Sequence, residues 1–489
     1  MTYRKTWFDY VLWAVYAGVC VILLAYVGNH IYVSYVGESL ARLGTFLPFP
    51  VLICLYLAIR QSSLAVRKKY HVSPHASAMA ESLVVAVSFV FGLIFRLREG
   101  ILGAAVSQPG EYYEMAVVRA GTEGQNLVHG LSNLFVGCLR MVFSFLGNSM
   151  MAAALFQTVL QMLILLYAYL VVRKAAGRFA ACTVLLLLAF SDAFISRIYV
   201  IDPECMMLAV LLAGLCMVLS FMKEELSGRS GFGGLARAVF LGTVLGFLCY
   251  LECGMAVLFL FLAGLFTGKM GAKGSRKRLA GRFFLVLAGS VAGFLGAVGI
   301  DASFGGVGFK QGLVFWAEPY LSMETGGRTF DVTGTSYPFF LVLFLLASFL
   351  GFAFIRGGRE QDFTLWLLPG ILVAPVFFWD YSVVGFGAVA LFFWGVLAAL
   401  GLKNAVFCGQ AEILREKIEE INASAAPIPV AAAPILAASS EPKGKPRFIE
   451  NPLPLPKRHV KREMDYDYEV AEADMYYQME VAEGDDFDF

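Results

Sequence analysis

The chain has 489 residues, of which 59% are hydrophobic and 15% charged, with a mean hydropathy of +0.71. Soluble domains are usually about a quarter charged, so the composition excludes an ordinary soluble enzyme and the length is better counted in membrane spans. The 38 Lys and Arg nearly balance the 37 Asp and Glu, leaving a formal charge of +1 and no electrostatic basis for nucleic-acid binding.

Crossing the hydrocarbon core as a helix takes about 17 to 25 apolar residues. The first candidate, 11–27, follows Arg4 and Lys5 without a small-residue cleavage site and reads as an uncleaved anchor. A second candidate is 46–59, and a third, 83–95, ends in Arg96 and Arg98. Cations at such a boundary suit a lipid phosphate, although side chains that merely anchor a helix end give the same pattern.

A long loop, about 97–149, comes next and carries Pro109, Gly110, Glu111, Tyr112, Tyr113, Glu114, Met115 and Ala116. A carboxylate on a turn at the water boundary suits a general base toward an acceptor hydroxyl or amine. The competing reading is an acid that caps a helix, with Glu114 one turn further on. Within the same loop, Leu127, Leu131, Leu134, Phe135, Cys138, Leu139, Val142 and Leu146 repeat at helical spacing. They leave His129, Ser132, Asn133 and Arg140 for a polar side, so the segment is expected to lie along the membrane surface rather than to cross it.

Candidate spans 150–172, 179–195 and 206–222 follow, and Asp202 precedes Pro203 where the last of them opens. There a carboxylate can hold an acceptor or a metal, or simply cap the helix. Two short apolar runs, 239–250 and 254–266, flank Glu252, and 283–300 is the next span. A second long loop, about 301–337, mixes Lys310, Trp316, Glu318, Tyr320, Glu324, Arg328 and Asp331. Carbohydrate and headgroup sites have this composition, as does an interfacial aromatic belt. Runs at 339–355, 365–379 and 383–402 bring the expected number of spans to twelve.

After 402 come an amphipathic piece at 412–421, an Ala/Pro linker at 423–440, and a basic and then acidic tail expected to be disordered. Basic clusters at 4–5, 67–69, 173–178, 269–282 and 356–359 fall on one side of these spans, which the charge rule makes cytoplasmic together with both termini. The nine Cys lack zinc or disulfide spacing and read as small buried hydrophobes. No phosphate loop, dinucleotide fingerprint, zinc-protease motif or nucleophile elbow occurs. The expected fold class is therefore an all-α polytopic membrane protein with about twelve transmembrane helices and an interfacial helix in its first long outer loop. A two-span extension (1–78), a membrane core (79–405) and a cytoplasmic tail (406–489) make up the domains.

The order of span 83–95, Glu111-Tyr112-Tyr113-Glu114-Met115-Ala116, an interfacial helix, Phe145-Leu146-Gly147-Asn148-Ser149, a new span and then Ile201-Asp202-Pro203 resembles the GT-C fold glycosyltransferases. The similarity is to the protein mannosyltransferase and aminoarabinose transferase group, and it covers about 79–402. It implies inverting transfer of a sugar from a polyprenyl-phosphate donor to a glycan, lipid or protein acceptor at the outer face of a plasma membrane. In that scheme Glu111 activates the acceptor and Asp202 is a second acid. Tyr112, Tyr113, Glu114 and His129 are candidate substrate contacts, and Arg98 or Lys310 meets the phosphate. The group most often has Asp, commonly in an Asp-Glu pair, where this chain has Gly110-Glu111. The resemblance implies no particular cofactor and leaves a divalent metal open. The tail segment Phe448-Ile449-Glu450-Asn451-Pro452-Leu453-Pro454 resembles tails on membrane proteins of Gram-positive anaerobes, which points to a bacterial membrane. Two other readings remain: a transporter or lipid flippase, which calls for midspan charges and a repeated half, and an inactive scaffold of the same fold.

Overall fold

The computed structural model describes residues 48–69, 74–104, 109–117, 130–226, 232–269, 276–304, 306–321, 370–371, 374 and 387–407. The candidate spans 11–27 and 339–355, most of 365–379, residue His129 and the tail beyond 407 lie outside the described residues. By internal contacts the chain divides into one unit of Met1–Gln61 with His71–Val406 and another of Ser62–Tyr70 with Phe407–Phe489. The helix bundle below belongs to the first unit.

The described residues form helices joined by turns, with no strand among them: α1 (Pro48–Lys69), α2 (Pro74–Ala104), α3 (Glu111–Val117), α4 (Leu131–Leu146), α5 (Met150–Ala176), α6 (Arg178–Ala189) and α7 (Asp192–Ile195). After a 3-10 turn, Ser196–Tyr199, come α8 (Glu204–Leu226) and α9 (Phe232–Leu251). A second 3-10 turn, Cys253–Ala256, leads to α10 (Val257–Lys269), α11 (Arg276–Phe304), α12 (Phe309–Leu321) and α13 (Gly387–Phe407). Among the described residues, α2, α5, α8, α9 and α11 contain the five helices long and apolar enough to cross a membrane.

Helix α5 is the hub and packs against α2, α4, α6 and α8. Its start is capped by Ser149, whose hydroxyl accepts the Ala152 N–H at 3.2 Å. Its end is fixed by Gly177, whose φ of 85° lets the chain reverse directly into α6. Glu81 of α2 lies opposite Arg173 of α5, Gly92 opposite Leu165, and Gly100 opposite Ala154 and Thr158. The two helices are therefore antiparallel neighbours. The chain leaves α2 and enters α5 at the same end of the bundle, so α4 between them adds no crossing. One side of α4 is buried through Leu131, Ser132, Phe135, Val136, Leu139 and Phe143. Ser132, expected on the polar side, belongs to this buried face. The opposite side exposes Leu134, Met141, Phe145 and Leu146 beside Asn133 and Arg140.

Charges gather where helix ends meet. Glu81 pairs with Arg173 at 3.1 Å and Arg178 at 3.4 Å and accepts the Tyr169 hydroxyl. Glu225 pairs with Arg282 at 3.4 Å and Arg278 at 3.6 Å. Lys174 donates to Ser220 at 2.7 Å, and Lys403 donates to the Ala176 carbonyl. These contacts bring the N-terminal part of α2, the α5–α6 turn, the end of α8, the start of α11 and the last part of α13 to one basic end. The end of α2, α3, α4, the segment 190–203, the end of α11 and the start of α12 lie toward the opposite, far end.

Helices α9 and α11 pack through reciprocal glycines. A Cβ on Gly246 would stand 1.9 Å from the Ser290 carbonyl oxygen, and one on Gly293 would stand 2.3 Å from that of Thr243. Without a hydrophobic driving force between helices in lipid, such backbone approach is a main source of association. Gly246→Ala is expected to cost about 1–3 kcal/mol by overpacking, read as a lower melting temperature in detergent. Gly296→Ala, where a Cβ meets nothing within 4 Å, should leave the melting temperature unchanged.

Candidate functional site at the far end

Helix α6 has 12 residues and so rises about 18 Å, well short of the roughly 30 Å hydrocarbon core. It stops inside the bundle, and its last carbonyls would be orphaned there. Arg96 of α2, fully buried, supplies the donors: Nη2 to Leu188 O at 3.0 Å and Nη1 to Ala189 O at 3.1 Å. Its Nη1 also reaches Gly92 O at 3.0 Å, its Nε donates to Gln161 Oε1 at 2.9 Å, and the guanidinium sits 5.4 Å from the Phe194 ring centre. Gln161 in turn donates to Phe194 O at 2.7 Å. One helical turn away, Gln157 donates to Val200 O at 3.2 Å and Asp202 O at 2.8 Å. Three polar side chains thus hold the backbone of 188–202 where helix geometry does not. Arg96, a phosphate candidate by sequence, is spent on this task.

The held segment presents Arg197, Asp202 and Glu204. Asp202 caps α8, its Oδ1 accepting the Glu204 N–H at 3.1 Å. Burial pushes its carboxyl up from the usual range to about 6, with nearby Arg197 pulling the other way. Glu204 is buried, forms an ion pair with Arg197, and accepts the Ala388 N–H at the start of α13 at 2.5 Å.

The acidic turn of the first loop is built separately. Glu114 N–H bonds to Gly110 O at 3.1 Å and closes the first turn of α3. Tyr112 meets Phe135 edge-on at 6.1 Å, and Tyr113 meets Phe143 at 5.2 Å. Arg140 donates to Met115 O at 2.8 Å. These contacts seat α3 on α4 and leave Glu111 and Glu114 exposed. Tyr112 and Tyr113 are half-buried packing residues here, with their rings turned to α4. Arg98 and Lys310 are exposed at the far end. No hydrogen bond or ion pair among the described residues joins Glu111 to Asp202, so the two acids stand on different supports. At the start of α4, Gly130 (φ 72°) abuts the last residue of α9, since a Cβ there would meet Leu251 O at 2.2 Å. Buried Glu252 follows directly.

The roles of Arg96, Gln157, Gln161 and the Arg197–Glu204 pair were not foreseen from sequence. A signal was present: Gln157 and Gln161 are four apart in an otherwise apolar helix, and intramembrane polar residues need partners. What those partners are depends on where α6 stops.

No family model matches the chain, and no curated protein matches it. Among solved structures, the chain is similar to the archaeal oligosaccharyltransferase AglB from Archaeoglobus fulgidus in complex with an inhibitory peptide and a dolichol-phosphate. The identity is 14% and the TM-score 0.44 over 70% of this chain and 52% of that one. The apo form of the A. fulgidus oligosaccharyltransferase gives 14% identity and a TM-score of 0.44 over 69% and 52%. A form tethered to an acceptor peptide gives 14% and 0.42 over 69% and 51%. The chain spans about half the length of these enzymes (52%).

Two outcomes test the segment. Arg96→Met leaves the Leu188 and Ala189 carbonyls without donors and is expected to cost about 3 kcal/mol or more. Exposed Arg98→Met should stay within about 0.5 kcal/mol, both read from thermal unfolding in detergent. For Asp202, a carboxyl raised in the folded state favours folding while protonated. That contribution is present below about pH 4 and is lost as pH rises through about 6. Melting of the wild type should fall over that window relative to Asp202→Asn, and parallel curves would refute the raised carboxyl.

Proposed function

We propose that the chain is an integral-membrane glycosyltransferase that moves a sugar from a polyprenyl-phosphate-linked donor to an envelope acceptor at the outer face of a bacterial plasma membrane. The observation that carries this reading is Glu111. It is an exposed carboxylate on the first turn of a short helix, seated by aromatic packing on an amphipathic helix that exposes Met141, Phe145 and Leu146. That combination suits a base working at a water–lipid boundary, and the sequence resemblance assigns the same residue.

In this reading the far end is the outer side, the basic end and both termini are cytoplasmic, and 79–405 is the catalytic core. Glu111 takes the proton from the acceptor hydroxyl or amine as that atom attacks the anomeric carbon. The bond from that carbon to the phosphate oxygen breaks, and polyprenyl phosphate leaves with the electron pair. Asp202 lies at the opening of α8 as a second acid. Glu114 and His129 contribute to substrate contacts, and a cation of the far end meets the phosphate. No three His, Cys, Asp or Glu side chains gather among the described residues to hold a metal. The flippase reading needs an open charge within the spans. Arg96, the buried cation of α2, is instead occupied by backbone carbonyls and Gln161.

The test is sugar transfer from a panel of radiolabelled polyprenyl-phosphate sugars in membranes containing the protein. Glu111→Gln is expected to lower transfer roughly 10²- to 10⁴-fold, the usual worth of a general base, with unchanged protein level and melting. Transfer by the wild type that Glu111→Gln retains would remove Glu111 from the mechanism. No wild-type transfer from any donor would turn the reading toward a flippase or an inactive scaffold.

A further inference from the structure

We propose that Arg197 is the cation that takes the phosphate of the lipid carrier, and that buried Glu204 is the residue that positions it. The inference rests on the transferase reading for the identity of the carrier, but its geometry stands apart from Glu111.

Arg197 lies on the 3-10 turn Ser196–Tyr199, in the segment that Arg96, Gln157 and Gln161 fix to α2 and α5. Its side chain is 33% exposed and forms an ion pair with Glu204. The pair uses Nη1, and a guanidinium carries five N–H donors in all. A guanidinium fork matches phosphate oxygens bidentately.

An ion pair would ordinarily cancel the cation's attraction for an anion. Here the Glu204 carboxylate has other sources of compensation. It belongs to the first turn of α8 and accepts the Ala388 N–H in the first turn of α13, so two helix starts with their positive partial charge meet it. Glu204 therefore aims the guanidinium without depending on it alone, and Arg197 keeps field to offer outward. Nearby Asp202 is half-buried with one oxygen committed to the Glu204 N–H.

The other far-end cations are less suited. Arg96 is buried and its donors are taken. Arg140 is held by a carbonyl alone. Arg98 and Lys310 have no hydrogen-bonding or ion-pair partner among the described residues to set their direction. Arg197 is both fixed by a buried carboxylate and open to solvent.

The experiment is binding to the purified full chain in detergent, with native mass spectrometry reading bound lipid. The probes are a polyprenyl monophosphate, the matching polyprenol, phosphatidylglycerol and inorganic phosphate. The wild type should prefer the polyprenyl phosphate over the polyprenol, and Arg197→Gln should reduce phosphate-lipid affinity roughly ten- to a hundred-fold, the worth of a charge-assisted pair. Arg197→Lys should restore part of it. Glu204→Gln, which keeps an oxygen for Ala388, should weaken phosphate-lipid binding while leaving polyprenol binding unchanged. Arg197→Gln strands Glu204, so the double variant Arg197→Gln/Glu204→Gln is measured beside it, with Arg237→Gln at the basic end as control.

Wild-type phosphate-lipid affinity in a folded double variant would overturn the assignment, as would equal binding of polyprenol and polyprenyl phosphate. Displacement by equimolar phosphatidylglycerol or inorganic phosphate would assign the site to headgroups or free phosphate and overturn the carrier reading. Arg197-dependent binding in a protein that transfers no sugar would sink the transferase reading alone. Sugar transfer with Arg197-independent binding would sink this inference alone.

Discussion

A backbone carbonyl inside a lipid-spanning bundle has no water to turn to, and α6 ends at the head of the stretch from Leu188 to Asp202 with the Leu188 and Ala189 carbonyls past the reach of its own ladder. Arg96 answers those two from α2, Gln161 and Gln157 add bonds to Phe194, Val200 and Asp202 from α5, and the far end is organised around these contacts. An unsatisfied buried carbonyl costs about 1–3 kcal/mol, so the segment has one favourable position rather than many. That position places Arg197, Asp202 and Glu204 at the far end of the bundle. A cation usually read as a ligand for something outside is here a ligand for the protein's own backbone.

Helix ends at the opposite side solve a related problem with charge. Glu81 gathers Arg173, Arg178 and the Tyr169 hydroxyl, and Glu225 gathers Arg278 and Arg282, so each inward acid has more than one cation. Between the two charged ends the packing depends on shape. Gly242 and Gly246 face Gly289, Ser290 and Gly293 closely enough that backbone touches backbone. The bundle therefore has polar ends that fix direction and a close-packed middle that fixes distance.

The two acidic elements at the far end have different origins and different freedom. Glu111 rides on a seven-residue helix attached by two aromatic contacts and one Arg140 bond. Asp202 and Glu204 belong to a segment bonded from several sides. The first is held by few contacts and the second by many.

Sequence alone determined that the chain is helical and crosses a membrane, because apolar runs of that length have no other stable use. The spacing within 127–146 already marked a helix that does not cross, and the antiparallel fit of Glu81, Gly92 and Gly100 against α5 gives the geometric reason. Glu111 and Asp202 stood out as acids at helix openings, since capping and chemistry ask for the same residue types. What sequence did not disclose was the use of each polar side chain. Arg96 and Arg98 differ by two residues, yet one is buried among carbonyls and the other is exposed. Only the tertiary structure decided this, because the need for Arg96 arises from α6 ending early on a neighbouring helix. The Arg197–Glu204–Ala388 junction likewise bonds Glu204 to a residue 184 positions away, a closeness that packing creates and no local pattern records.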